Sequence, residues 1–181
     1  MDFSILYFIQ SIRTDFLDSF MLVLTKIAGS YGQIWLCVAV LLLIFKKTRK
    51  AGIAVLLSYG FVYLFGQMVL KDLIARPRPC HIDETIALLI DRPSSFSCPS
   101  THSAWAFGAA TAIVCFSKKI GIPAFVVAAI IGFSRLYLFV HFPTDVLAGI
   151  ALGVLCGLIG AWIVKAVAKA IEKRKGAVKA D

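Results

Sequence analysis

Twelve residues from Ser134 to Asp145, SRLYLFVHFPTD, set an arginine, a histidine and an aspartate between two stretches that are otherwise almost wholly apolar. Charges are costly near lipid, so side chains of these types point to chemistry. His141 and Asp145 stand four apart around Pro143, a residue suited to the first turn of a helix, so the carboxylate can reach back to one imidazole nitrogen. The other nitrogen is then free to attack. Arg135 offers a planar fork of donors that suits phosphate oxygens. Together they read as half of a phosphoryl-transfer site.

The elements around this stretch are those of a membrane protein. The chain has 181 residues, 60% hydrophobic and 16% charged, with a mean hydropathy of +0.87, too apolar for a soluble domain of this size. The start MDFSILYFIQ lacks a basic leader region and a clear cleavage site, so the N-terminus is expected to be retained. Residues 2–10 are too short to span and predict an interfacial helix. Six apolar segments follow, at about 15–30, 32–45, 51–71, 101–117, 121–139 and 143–164, against roughly 20 residues per crossing. The expected fold is an all-α polytopic membrane helical bundle, one domain of six transmembrane helices plus the short interfacial helix. Trp35, Trp105 and Trp162 fall near segment ends, where indoles favour the interface.

The net charge of +9 does not point to nucleic acid, because the basic residues lie in clusters between apolar segments. Lys46, Lys47, Arg49, Lys50, Lys118, Lys119 and the tail residues Lys165, Lys169, Lys173, Arg174, Lys175 and Lys179 make up twelve of the 19. With six spans all twelve share one side, expected to be the cytoplasm together with both termini. The long connection 72–100 then lies outside, and loops of that length are usually functional. In it Asp83 and Glu84 precede TIALLI, which predicts a short capped helix resting on the bilayer or acting as a lid.

The same alternation brings three polar clusters to the outer interface. Lys71 and Arg78 end the third span in KDLIARPRP, Ser100, Thr101 and His102 open the fourth in CPSTH, and Arg135, His141 and Asp145 lie between the fifth and sixth. Each alone has a plain explanation: basic residues anchor span ends, Pro-Ser-Thr starts helices, and a lone histidine is commonly a satisfied polar group. Their conjunction does not.

These pieces resemble the three-part signature of the type 2 phosphatidic acid phosphatase superfamily, K-x6-RP, PSxH and SR-x5-H-x3-D. It is matched here by Lys71 to Arg78-Pro79, by Pro99-Ser100-Thr101-His102, and by Ser134-Arg135, His141 and Asp145. Thr101 stands where glycine is frequent, and the resembling region runs from 71 to 145. The resemblance implies a cofactor-free, metal-independent lipid phosphatase. His141 would be the nucleophile forming a phosphohistidine, with Asp145 fixing its tautomer, and His102 would protonate the leaving oxygen and then activate water. Lys71, Arg78, Arg135, Ser100 and the amides near Thr101 would hold the phosphoryl oxygens. Arg76, outside the signature, would be a rim contact or an anchor. The substrate would be a lipid phosphate or diphosphate entering sideways from the membrane: undecaprenyl diphosphate first, phosphatidylglycerol phosphate or phosphatidate otherwise. A transporter lacks charges along the last three spans, and a lipid-binding protein without activity is the other alternative.

Cys37, Cys115 and Cys156 fall within spans, whereas Cys80 and Cys98 flank the first two motifs and admit a disulfide between them. Gly149, Gly153 and Gly157 form a smooth helix face expected to pack within the monomer, with a homodimer seam as the alternative.

Overall fold

A computed structural model describes residues 2–29 and 31–178, with the side chains of 176–178 excluded, so Lys179 lies outside the described residues. Among the described residues the chain is helical, without strands. The helices are α1 (Asp2–Ser11), α2 (Asp15–Ala28), α3 (Gln33–Ile44), α4 (Arg49–Phe61), α5 (Lys71–Ile74), α6 (Pro79–Ile82), α7 (Thr101–Val114), α8 (Lys118–Tyr137) and α9 (Pro143–Val178). A π-helical stretch, Val62–Leu70, joins α4 to α5 without a break.

The apolar pattern predicts six spans; among the described residues the helices form an apolar bundle, and their lengths by themselves do not fix that count. Three helical runs are long and apolar enough to cross, Arg49–Ile82, Lys118–Tyr137 and Pro143–Lys175. A fourth arises if α2 and α3, bent by 58°, count as one. The fourth expected span, α7, has 14 residues, about 21 Å at 1.5 Å per residue, short of a 30 Å hydrocarbon layer. Its sequence THSAWAFGAATAIV suits the centre of a bundle, and it runs from the cavity at Thr101 to the end from which α8 returns to the cavity at Arg135. Small side chains let neighbours approach, and α7 packs against α4, α8 and α9 with most of its residues buried.

The glycine face of α9 is spent on that packing. A Cβ at Gly149, Gly153 or Gly157 would run into the carbonyl oxygens of Ser100, Ala104 and Gly108, so this face meets α7 within the monomer and offers no dimer seam. Two of the three tryptophans also turn inward. Trp105 is buried, stacks on Tyr59 at 5.3 Å and donates Nε1–H to the Tyr59 carbonyl, and Trp35 is buried in the same core. Only Trp162 is exposed, among outward apolar side chains such as Leu155, Leu158 and Leu147. A surface this apolar fits a bilayer.

Local signals set the ends near the site. Thr14 caps α2 by accepting from the Leu17 amide at 3.3 Å, and Gly29 at φ 70° ends it. Pro143 starts α9, with Asp145 in its first turn where a carboxylate is favoured. Ala75 (φ 48°) and Phe139 (φ 58°) sit in the left-handed region, each turning the chain just before a site residue.

The connection 83–91 is not a helix. The Asp83 carboxylate takes the Thr85 amide (3.0 Å) and hydroxyl (2.6 Å), closing a local turn that competes with a helical start. Ile86, Leu88, Leu89 and Ile90 turn inward onto Leu6 of α1 and Leu138, Phe139, Val140 and Phe142, where contact with protein replaces the expected contact with lipid.

Candidate active site

The three clusters do converge. Lys71, Arg78, Thr101, His102, Arg135 and His141 line one cavity of about 640 Å³, whose wall is completed by the end of α2 through Tyr31, by Gln67 and Val140, and by Ile90, Asp91 and Pro93 to Ser95. Lys71, Arg78 and Arg135 are 4%, 4% and 3% exposed, and among the described residues none lies within 4.0 Å of a carboxylate. Buried charge without a partner costs several kcal/mol per ion, so three together make a site waiting for an anion.

Neutral groups aim these cations. Lys71 Nζ donates to Ser95 Oγ at 3.2 Å, and Arg78 Nη2 donates to the same oxygen at 3.0 Å. Arg78 also donates through Nε to the Ser95 carbonyl (2.7 Å) and through Nη1 to the Val140 carbonyl (2.9 Å). Arg135 donates through Nη2 to Thr25 Oγ1 (2.7 Å) and through Nε to Ser134 Oγ (3.0 Å). The π-helical stretch before Lys71 puts Gln67 on the cavity wall, where it accepts from Thr101 Oγ1 at 3.3 Å.

His141 lies between α8 and α9, 2% exposed, with Nε2 at 3.2 Å from Arg78 Nη1. Burial pushes its imidazole well below the ordinary range, reinforced by Arg78 and Lys71 and opposed by Asp145, so the ring is neutral at pH 7 and its nitrogen lone pair is available. Asp145 Oδ2 stands 3.8 Å from Nδ1, beyond hydrogen-bond reach. Between them lies Ser97 Oγ, 2.5 Å from Asp145 Oδ2 and 3.3 Å from His141 Nδ1. Arg76 holds the other carboxylate oxygen at 2.7 Å, also donates to Asp2 at 2.9 Å, and stacks over Phe142 at 4.1 Å. It is therefore tied to the aspartate and to α1, neither a rim contact nor a lipid anchor.

His102 donates Nε2–H to the Gly29 carbonyl at 2.9 Å, which leaves Nδ1 as the nitrogen able to exchange a proton. Ser100 does not line the cavity. Its hydroxyl pairs with Ser103 Oγ at 3.0 Å, and its amide donates to the Asp145 carbonyl at 3.0 Å, joining the starts of α7 and α9. Cys80 and Cys98 are both free thiols, so no disulfide links the motifs.

The match to the PAP2 superfamily model runs over residues 51–169. The chain belongs to the PAP2 superfamily. It is 35% identical over 148 residues to the undecaprenyl-diphosphatase of Sulfolobus acidocaldarius, covering 81% of this chain and 67% of that protein. It is 39% identical over 122 residues to phosphatidylglycerophosphatase B of Bacillus subtilis, covering 61% of this chain and 56% of the relative. Among solved structures, Aquifex aeolicus LpxE superposes with a TM-score of 0.71 at 30% identity, over 88% of this chain and 93% of that one. The PAP2-type phosphatidylglycerolphosphate phosphatase of Bacillus subtilis gives 0.71 at 32%, over 94% and 85%. PAP2 membership, the apolar helices and the cavity make this chain a membrane phosphatase of the lipid phosphatase family.

Sequence reasoning missed Ser95, Ser97, Thr25, Lys26 and Gly29. The first two sit in a serine-rich loop with no distinguishing spacing. The others lie in a segment with no motif at all.

Proposed function

We propose that this PAP2 phosphatase hydrolyses a lipid diphosphate, undecaprenyl diphosphate by preference, without a metal and through a phosphohistidine on His141. The observation that carries the reading is the trio of buried, unpaired cations sharing one cavity with a neutral imidazole. Lys71, Arg78 and Arg135 take the oxygens of the scissile phosphoryl group and spread the charge of the transition state, work that a divalent ion does elsewhere. The His141 lone pair attacks phosphorus, the bond to the leaving oxygen breaks with its electron pair on that oxygen, and His102, which takes a second proton on Nδ1 once the bound anion offsets the surrounding cations, passes that proton to the leaving oxygen. Water then gives a proton to His102 and attacks phosphorus, and the P–N electron pair returns to the imidazole. Asp145 balances the cation formed on His141 between the steps.

The preference for a diphosphate rests on a fourth cation. Lys26, in the last turn of α2, lines the cavity together with Gly29, whose carbonyl anchors His102, and in this reading it meets the departing phosphate. A monoester leaves an alcohol and has no use for it, whereas a diphosphate leaves a charged phosphate. The name of the Sulfolobus relative agrees, and those of the two Bacillus subtilis proteins named above favour phosphatidylglycerol phosphate as the second reading. The positive-inside pattern supports a cytoplasmic tail and a cavity open to the extracytoplasmic leaflet.

Release of inorganic phosphate in detergent with EDTA tests the core of this. Wild type should turn over a prenyl diphosphate and His141→Ala should not. Loss of turnover in EDTA, or an active His141→Ala, overturns the mechanism. Faster turnover of phosphatidylglycerol phosphate than of the diphosphate overturns the substrate assignment alone.

A further inference from the structure

Ser97 lies outside the three-part signature, yet it occupies the position between the two groups that the signature pairs. Its hydroxyl is fully buried, and its amide donates to the Arg76 carbonyl at 2.8 Å, which holds the residue in place. The hydrogen bonds around it can be counted atom by atom. Asp145 Oδ2, the oxygen nearest His141, accepts from Ser97 Oγ at 2.5 Å and from the Phe142 amide at 2.9 Å. A carboxylate oxygen has two lone pairs, so Oδ2 is full. Oδ1 is turned to Arg76 Nη1 at 2.7 Å. No lone pair of the aspartate remains on the side of the imidazole, consistent with the 3.8 Å gap.

The proton positions follow. An ionised carboxylate cannot donate, so the single Ser97 proton points at Asp145. The serine oxygen then presents only lone pairs to His141 Nδ1, 3.3 Å away, and that nitrogen must carry the hydrogen. Nε2 is left unprotonated, facing a guanidinium nitrogen of Arg78 at 3.2 Å that can only donate.

We propose that Ser97 is a positioning residue for the nucleophile: its hydroxyl, and not the Asp145 carboxylate directly, fixes His141 as the Nδ1–H tautomer and passes the aspartate's charge to the imidazolium of the phosphoenzyme. The second half rests on the phosphohistidine reading. The tautomer assignment does not, since it is a property of the resting protein. Arg76 completes the arrangement by occupying the distal carboxylate oxygen, so that the serine is the route left between the charge and the ring.

Two readouts test this, one needing no turnover. In 15N-histidine-labelled protein in detergent, the His141 ring nitrogens should report protonated Nδ1 and bare Nε2 in wild type. The same single tautomer should persist in Ser97→Thr, which keeps the hydroxyl, and give way to a mixture in Ser97→Ala. With a prenyl diphosphate, Ser97→Ala should lose about 10- to 100-fold in kcat, the range of one charge-assisted hydrogen bond, with KM within about threefold and kcat recovered in Ser97→Thr. A wild-type ring protonated on Nε2 overturns the proposal whatever the variants do. A Ser97→Ala protein that keeps either its tautomer or its kcat also overturns it, because the carboxylate then acts without the serine. Absence of turnover in wild type counts against the phosphatase reading instead, and the nitrogen spectra still decide the role of Ser97.

Discussion

Gly149→Ala tests how closely α7 and α9 must approach for the site to exist. The added carbon would fall far inside 3.0 Å of the Ser100 carbonyl oxygen, whereas ordinary contact begins at 3.4 Å, so the helices must part by about 1 Å. The carbonyl cannot swing aside, because it accepts the first intrahelical bond of α7 from the Ala104 amide at 3.0 Å. The strain therefore reaches the Ser100 amide to Asp145 carbonyl bond one turn away, which couples α7, carrying His102, to α9, which carries Asp145 and begins two residues after His141. Overpacking of this kind costs about 1–3 kcal/mol, and misplacing reacting groups by about 1 Å costs on the order of 10²-fold in rate. A shift of about that size predicts a loss of kcat on the order of 10²-fold and a Tm lowered by several degrees. Gly60 is the control. A Cβ there meets nothing within 4 Å, so Gly60→Ala should leave turnover intact and stabilise α4 by about 0.5–1 kcal/mol. Phosphate release and thermal unfolding of both purified variants would decide the matter, and a fully active, fully stable Gly149→Ala would refute the argument that backbone contact holds the two histidines in register.

Three further expectations follow from the geometry. Arg76→Ala leaves a buried Asp145 oxygen without its donor and frees α1 from Asp2, so it should destabilise by about 1–3 kcal/mol and speed proteolysis of the N-terminal helix; unchanged protease resistance would argue against the tie. Because Cys80 and Cys98 are free, thiol titration of the unfolded protein without reductant should count all five cysteines, and a count of three would mean a bridge forms. His141 has a lowered pKa when folded, so the unfolded chain takes up a proton that the buried ring refuses, and stability should fall as pH drops below about 6.5, at up to about 1.4 kcal/mol per pH unit. His141→Gln should flatten that part of the Tm profile between pH 7.5 and 5.5, and an unaltered slope would place the acid sensitivity elsewhere.

Much of the candidate site is legible in the residues themselves, because transferring a phosphoryl group demands particular side chains and the alternation of apolar segments carries distant ones to the same end of the bundle. Lys71, Arg78, His102, Arg135 and His141 stand out in that way and share one cavity. The apolar pattern likewise announces an all-helical membrane chain. It does not fix where each crossing helix begins and ends, because hydropathy registers neither the π-helical stretch Val62–Leu70 nor the 58° bend between α2 and α3.

What composition and spacing determined was the chemistry available to this chain; which groups complete it was decided by tertiary structure. Ser100 matches the motif yet turns its hydroxyl to Ser103, while Ser97, without a motif, stands between Asp145 and His141. The TIALLI segment has the composition of a surface helix but folds inward once the Asp83 carboxylate is captured by Thr85 and α1 offers it an apolar partner. Hydrogen bonds are set by angstrom-scale placement of donors and acceptors from segments tens of residues apart. A linear pattern of residue types carries the identity of those groups, and only the packed helices carry their distances.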